Sequence, residues 1–115
     1  MALPHARSGQ VVSVLPWGSQ LAHHSTSAIL KANQLEVIRL VLQAGQTLRQ
    51  HDTPGEITLQ CLEGAVELQT PATTCLLRAG DFVHLQAGVP HGLQALEDTS
   101  VLLTICIAKP APTSA

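Results

Sequence analysis

The segment from Gly45 to Gly64 constrains the fold of this chain more than any other part of the sequence. Glycines at both ends favour turns, and His51 lies near the middle. Residues 57–62 then place Ile, Leu and Cys at alternate positions, a period of two that is typical of a β-strand with one buried face. Residues 80–91 also begin at a glycine and end at a histidine, so we expect the two histidines to converge.

Turn signals divide the rest of the chain into short strand-like runs. Glu63-Gly64 separates two such runs and predicts a two-residue hairpin. No stretch holds a helical period for three turns. The sequence therefore predicts an all-β domain of about nine or ten short strands, the pattern of a sandwich or barrel. The strands are predicted at residues 10–15, 28–32, 35–42, 47–51, 57–62, 65–70, 74–78, 82–86, 91–96 and 101–108.

Size and composition indicate one domain and argue against nucleic acid as a partner. The chain has 115 residues, of which 45% are apolar and 12% are charged. Because the polar surface is small, we expect part of the apolar excess to be buried in a homodimer. A net charge of -2, one Trp, one Phe and no Tyr provide neither a basic surface nor an aromatic platform for nucleic acid.

The cysteines and the N-terminus favour a cytoplasmic location. Cys61, Cys75 and Cys106 lack CxxC spacing and lie in apolar strand-like runs, which indicates buried thiols in a reducing compartment. The N-terminus lacks the apolar core of a signal peptide, and the longest apolar run, residues 101–108, is too short to cross a bilayer. We therefore expect no membrane contact.

The two glycine-led segments resemble the motifs of a known family, the small single-domain cupins (RmlC-like, cupin 2 conserved barrel). The family's first motif reads G-x5-H-x-H-x3–4-E-x6-G, and its second reads G-x5-P-x-G-x2-H-x3-N. The matching residues of this chain are Gly45, His51, Gly64, Gly80, Gly88 and His91.

The resemblance implies a double-stranded β-helix, a jelly-roll cupin barrel of two facing antiparallel sheets. We expect the barrel to span residues 10–108, after an irregular arm at residues 1–9 and before a flexible tail at residues 109–115. In the family, three histidines and a glutamate bind a metal inside the barrel. The resemblance therefore implies a divalent ion (Fe, Zn, Ni or Mn), with His51 and His91 as the ligands that carry over.

The other two ligands of the family do not carry over. Thr53 stands where the motif has its second histidine, and Ile57 stands where it has the glutamate. In the second motif, Gln86 and Ala95 replace the proline and the asparagine. Catalytic zinc usually has three protein ligands and non-haem iron two histidines and a carboxylate, so the ligand set is incomplete.

Two side chains are candidates for a third metal ligand. Glu56 is one position from the family's glutamate, and neighbouring residues of a strand point to opposite faces. It would face the site only if the turn at residues 54–55 shifts the register, and otherwise it is an exposed carboxylate. His84 precedes the second motif, and its alternative role is a partly buried or interface histidine.

Three functions remain open from the sequence. The first is a metal-dependent cupin that acts on a small molecule, for which the family allows dioxygenase, isomerase or decarboxylase chemistry. The second is a metal-free module that binds or senses a small organic ligand in an apolar pocket with two histidines. The third is a dimerisation domain with a filled interior. In the first two cases, the expected lining residues of the pocket are Thr53, Ile57, Cys61 and Phe82.

Overall fold

Alternating apolar side chains produce two antiparallel β-sheets that face each other in the computed structural model, which describes residues 5–107. One sheet has the order β1-β2-β9-β4-β7, and the other has the order β3-β8-β5-β6. The all-β prediction is confirmed. The strands are β1 Ser27–Lys31, β2 Leu35–Leu42, β3 Thr47–His51, β4 Ile57–Glu63, β5 Ala65–Gln69, β6 Thr74–Arg78, β7 Phe82–Leu85, β8 His91–Ala95 and β9 Thr99–Cys106.

The inner faces of the two sheets form the hydrophobic core. On β4, Ile57, Leu59 and Cys61 alternate inward and are almost fully buried. Each buried aliphatic side chain of this size contributes roughly 1.5–3 kcal/mol. Burial also raises the pKa of the Cys61 thiol to about 11, which keeps it protonated and structural. The whole core cluster is Leu40, Leu42, Ile57, Leu59, Cys61, Val66, Leu68, Leu77, Leu93, Ala95, Val101 and Leu103.

The predicted hairpin between β4 and β5 turns at Gly64. This residue has φ +86°, in the left-handed region that favours glycine. A Cβ atom there would clash with the carbonyl oxygen of Asp98. The turn therefore needs glycine for its backbone angle and for the close approach of the neighbouring chain.

A β-bulge turns Glu63 away from the core at the end of β4. Cys61 pairs with Val101, whereas Glu63 pairs with Ser100, so two steps along β4 match one step along β9. The extra residue reverses the inner and outer faces of β4 at this point. As a result, Glu63 lies with Ser100 on the outer face of the five-stranded sheet.

The predicted strand at residues 10–15 is wrong, because the segment joins no sheet. It leads into a 3-10 helix at Gly18–His23 that the sequence did not predict. The backbone N–H groups of Trp17 and Gly18 donate to the Glu63 carboxylate, each at 3.0 Å. Because the Glu63 side chain accepts both hydrogen bonds, the segment is held against the barrel although it forms no strand ladder.

Arg39 completes a buried cluster beneath this segment. Its guanidinium is 3.1 Å from the Glu63 carboxylate and donates to the Leu15 carbonyl oxygen at 2.9 Å. The Trp17 ring lies over it, 3.6 Å from the guanidinium carbon, and His24 stacks on Trp17 at 3.7 Å. Arg39 is 3% exposed, so this ion pair is largely shielded from water.

Burial and hydrogen bonding act against each other on the charges of this cluster. Burial lowers the pKa of Arg39, and the hydrogen bond and negative charge of Glu63 oppose that shift. Burial would raise the pKa of Glu63. Hydrogen bonds from the Trp17 N–H, the Ser100 hydroxyl, the Gly18 N–H and Arg39 outweigh it and hold that pKa below its ordinary value of 4.5.

The termini of the predicted domain lie partly outside the described residues. The last strand was predicted to run from residue 101 to residue 108, and β9 is Thr99–Cys106. The predicted tail at residues 109–115 and the first four residues of the predicted arm are outside the described range. Within residues 5–107, no helix is long and apolar enough to cross a membrane.

We predict that the Glu63→Gln variant is less stable than the native chain by about 2–4 kcal/mol at neutral pH, because Arg39 keeps its buried charge without a counter-charge. The lowered pKa of Glu63 means that its stabilisation is full above its unfolded value near 4.5 and disappears as pH falls. Urea denaturation should show the difference shrinking below that pH. The control, Glu97→Gln at an exposed position outside this cluster, should leave stability at neutral pH nearly unchanged. A difference for Glu63→Gln that stays constant as pH falls would contradict the prediction.

Candidate functional site

A second β-bulge, in β3, brings His51 to the inner face of the four-stranded sheet. Leu48 pairs with Leu93, and His51 pairs with His91, so three steps along β3 match two steps along β8. Without the extra residue, Leu48 and His51 would point to opposite faces. With it, both face inward, and His51 lies directly opposite His91.

The two imidazoles form the centre of the candidate site. Their ring centroids are 4.5 Å apart, and the ring planes are inclined by 54°. His91 is 3% exposed, whereas His51 is exposed. The pair therefore lies at a mouth of the barrel, with one imidazole in the interior and the other accessible to solvent.

Both histidines are oriented by the same local contact. Nδ1 of His51 lies 2.9 Å from the Arg49 carbonyl oxygen, and Nδ1 of His91 lies 3.0 Å from the Val89 carbonyl oxygen. A carbonyl oxygen only accepts, so Nδ1 carries the proton in each neutral ring. Nε2 of each ring then has a lone pair that can accept a hydrogen bond or coordinate a metal.

Two loops next to the histidines are joined to each other. The loop between β3 and β4 follows His51, and the loop between β7 and β8 precedes His91. The Gly88 N–H donates to the Thr53 carbonyl oxygen at 2.9 Å, and the Thr53 hydroxyl donates to the Gly55 carbonyl oxygen at 3.0 Å. Thr53 is half-buried in this loop contact. The contact fixes the spacing of the segments that carry the two histidines.

Glu56 and His84, the candidates for a third metal ligand, lie on the outside of the barrel. In the β4–β7 ladder, His84 pairs with Thr58, and Leu85 pairs with the buried Ile57. His84 therefore points away from the interior. Its Nε2 is 2.7 Å from Glu56 Oε1, and both side chains are about half exposed. They bind each other instead of completing a site with His51 and His91.

The expected lining residues of the pocket have different positions. Ile57 faces inward and is 2% exposed. Cys61 also faces inward, but it lies at the other end of β4 and donates to the Glu63 carbonyl oxygen. Phe82 is 61% exposed and pairs with Gln60 on the outer face, so the expectation that it lines the interior is corrected. Its strand lies at the sheet edge, and the ladder with β4 sets which residues face out.

The donors present do not complete the metal centre that the family motif implies. The ligand position of the family's glutamate is occupied by Ile57, and Thr53 offers a hydroxyl that is engaged with Gly55. Within residues 5–107, no group of three or more His, Cys, Asp or Glu side chains is arranged to hold a metal ion. His51 and His91 alone are one donor short of an ordinary catalytic centre.

The family follows from a comparison with models of known domains. The model of the cupin domain matches residues 38–108, which is more than half of the chain. The chain belongs to the cupin family. The match contains both motifs and the strands β3–β9, so the predicted jelly-roll cupin barrel is confirmed.

Solved structures share this cupin fold at low sequence identity. A conserved protein of unknown function from Streptococcus pyogenes is 21% identical, with a TM-score of 0.73 over 95% of this chain and 99% of that one. A cupin superfamily protein from Desulfitobacterium hafniense is 12% identical, with a TM-score of 0.71 over 86% and 100%. An RmlC-like cupin from Desulfovibrio desulfuricans is 22% identical, with a TM-score of 0.67 over 89% and 97%. No curated protein matches this chain.

Sequence reasoning missed the groups that orient the histidines. They are the backbone carbonyls of Arg49 and Val89 and the bulge that precedes His51. A carbonyl group is present at every residue, so the sequence contains no signal for this role. The spacing of Gly45 and His51 indicated the position of the histidine but not the local register.

We predict that His51 and His91 carry their proton on Nδ1 when neutral, because the Arg49 and Val89 carbonyl oxygens can only accept. Nitrogen-15 NMR of histidine side chains in mildly alkaline solution measures this directly. His23, in the 3-10 helix, has no such carbonyl contact among the described hydrogen bonds and serves as the control. A dominant Nε2–H form at both His51 and His91 would contradict the assigned orientation.

Proposed function

We propose that this cupin binds a small organic molecule at the barrel mouth through His51 and His91. The observation that carries the proposal is the facing pair of imidazoles, each with Nδ1 committed to a carbonyl oxygen. The two Nε2 atoms are then hydrogen-bond acceptors with a fixed direction. A pair of fixed acceptors, one of them on a solvent-exposed ring, supports ligand recognition more than a role in filling the core.

The surroundings of the pair favour a ligand with an apolar body. Ile57 pairs with Ile105 and Leu85 on the inner face of the opposite sheet, and this row lies at the same end of the barrel as the histidines. An apolar wall gives no hydrogen bonds, so specificity would come from the two imidazoles. The ligand class is therefore a small molecule with an apolar part and at least one O–H or N–H donor.

A divalent metal is the second candidate occupant. It is favoured by the Nδ1–H contacts of both histidines with carbonyl oxygens, an arrangement typical of metal-binding histidines. Such an ion would act as a Lewis acid with His51 and His91 as its protein ligands. With two protein ligands it would be held weakly, and water or the small molecule would have to fill its other positions.

The same proposal includes a homodimer in the cytoplasm. Val11 is 93% exposed and Leu15 is 74% exposed, on a segment that joins no sheet. Exposed apolar side chains on one segment support a contact with a second copy of the chain. Light scattering of the native chain and a Val11→Ser/Leu15→Ser variant tests this part: a monomeric native chain would contradict it.

We predict that phenol, an apolar probe with one O–H donor, shifts the ring signals of His51 and His91 in NMR spectra of tag-free protein. The His51→Ala/His91→Ala variant should bind phenol about tenfold more weakly or worse, because each lost hydrogen bond contributes roughly 0.5–1.5 kcal/mol. Zn²⁺ should bind at one equivalent and be removed by dialysis, as measured by mass spectrometry.

The matched control is His84→Ala, which removes an imidazole from the outer face and should leave phenol and Zn²⁺ binding unchanged. Equal phenol affinity in the native chain and the double variant would contradict the proposal. Zn²⁺ binding that survives in the double variant would contradict the second candidate.

A further inference from the structure

Glu36 is a carboxylate on the inner face of the five-stranded sheet. In the unbroken β2–β9 ladder, Glu36 pairs with Ile105, and Ile105 in turn pairs with Ile57. Ile57 is 2% exposed, and Ile105 packs against the core. Because directly paired residues share a face, Glu36 faces the same side as this apolar row. It is half-buried at the start of its strand.

Glu36 lies at the same end of the barrel as the two histidines. β2 enters the turn at residues 43–46 and β3 leaves it, so the start of β2 and the end of β3 lie together at the opposite end. Likewise, residues 96–98 join β8 to β9, which places His91 at the same end as Ile105. The carboxylate is therefore on the wall that faces the sheet of His51 and His91.

The charge of Glu36 is not neutralised by a close ion pair. Lys31 pairs with Glu36 in the β1–β2 ladder, but it is exposed on an edge strand. Among the described residues, the ion pairs within 4 Å are Arg39–Glu63 and Glu56–His84. The other inner-facing positions of β2 are Ile38, Leu40 and Leu42, so Glu36 is the one carboxylate on an otherwise apolar inner face of this strand.

We propose that Glu36 determines the charge of the ligand, and that the molecule bound at His51 and His91 carries an ammonium or similar cationic group. This inference rests on the proposed function. The three groups are not gathered closely enough to chelate one metal ion, so a short organic cation that extends from the imidazoles along the apolar row fits them better. A half-buried carboxylate attracts such a cation more strongly than one in bulk water, because the local dielectric is lower.

The carboxylate complements the two histidines chemically. Both Nε2 atoms and the carboxylate oxygens of Glu36 accept hydrogen bonds, and an ammonium group has only donors. An anionic ligand would face repulsion from Glu36, and the neighbouring cation, Lys31, is exposed on the edge strand β1. The site should therefore rank ligands of equal size in the order cationic, neutral, anionic.

The test compares n-butylammonium, 1-butanol and butyrate as probes of equal length, each titrated while the His51 and His91 ring signals are followed by NMR. We expect the native chain to bind butylammonium about tenfold more tightly than butanol, and butyrate most weakly. In Glu36→Gln, butylammonium and butanol should bind equally. In Glu36→Asp, which keeps the charge, the preference should persist.

Glu67→Gln is the matched control, because Glu67 lies between the buried Val66 and Leu68 and faces outward on β5. It removes the same charge and should leave the preference intact. Trp17 fluorescence confirms that each variant is folded. Equal binding of butylammonium and butanol by the native chain, or a preference that survives in Glu36→Gln, would overturn this inference alone. If none of the three probes perturbs either histidine, the proposed function fails with it.

Discussion

Strict alternation of side chains along a strand is the constraint on which both faces of this barrel depend. Two β-bulges interrupt this alternation and change which side chains face inward. The extra residue in β3 brings His51 to the inner face, opposite His91. The extra residue in β4 takes Glu63 to the outer face, beside Ser100. In each case a one-residue shift reverses the orientation of the side chains that follow. The candidate site and the buried ion pair are thus consequences of local register.

Because the bulges place different side chains on the inner and outer faces of the barrel, the two faces have different roles. On the inner face, an apolar core supports two imidazoles that are held by the Arg49 and Val89 carbonyl oxygens. On the outer face, the buried pair of Arg39 and Glu63 fixes the N-terminal segment to the sheet. A buried ion pair contributes little net stability on its own but is costly to break, so it determines where that segment lies.

The strands, the hairpin and the pair of histidines could be predicted from the sequence. The run at residues 35–42 and the turn at Gly64 have strong local signals, and the structure has β2 and a hairpin there. The segment at residues 10–15 has the composition of a strand. The backbone N–H of Trp17, which follows it, donates instead to the carboxylate of Glu63, 46 residues further along the chain. A contact over that distance has no local signal.

The geometry of the site was less accessible to sequence reasoning for the same reason. Spacing alone indicated that Glu56 would be exposed unless the register shifted near residues 54–55, and the shift that occurs lies earlier, between Leu48 and His51. The outward orientation of Phe82 follows from its pairing with Gln60, which only the assembled sheet defines. Glu36 lies outside both histidine motifs, and its position on the inner face depends on the β2–β9 register.

The central claim is that the β3 bulge makes His51 and His91 one site. The most direct measurement is the nuclear Overhauser effect between their ring protons in protein labelled only at histidine. A centroid separation of 4.5 Å predicts a clear cross-peak between the two rings. If His51 shows no cross-peak to His91 while the native fold is intact, its side chain points away from the barrel, and the account of the site is contradicted.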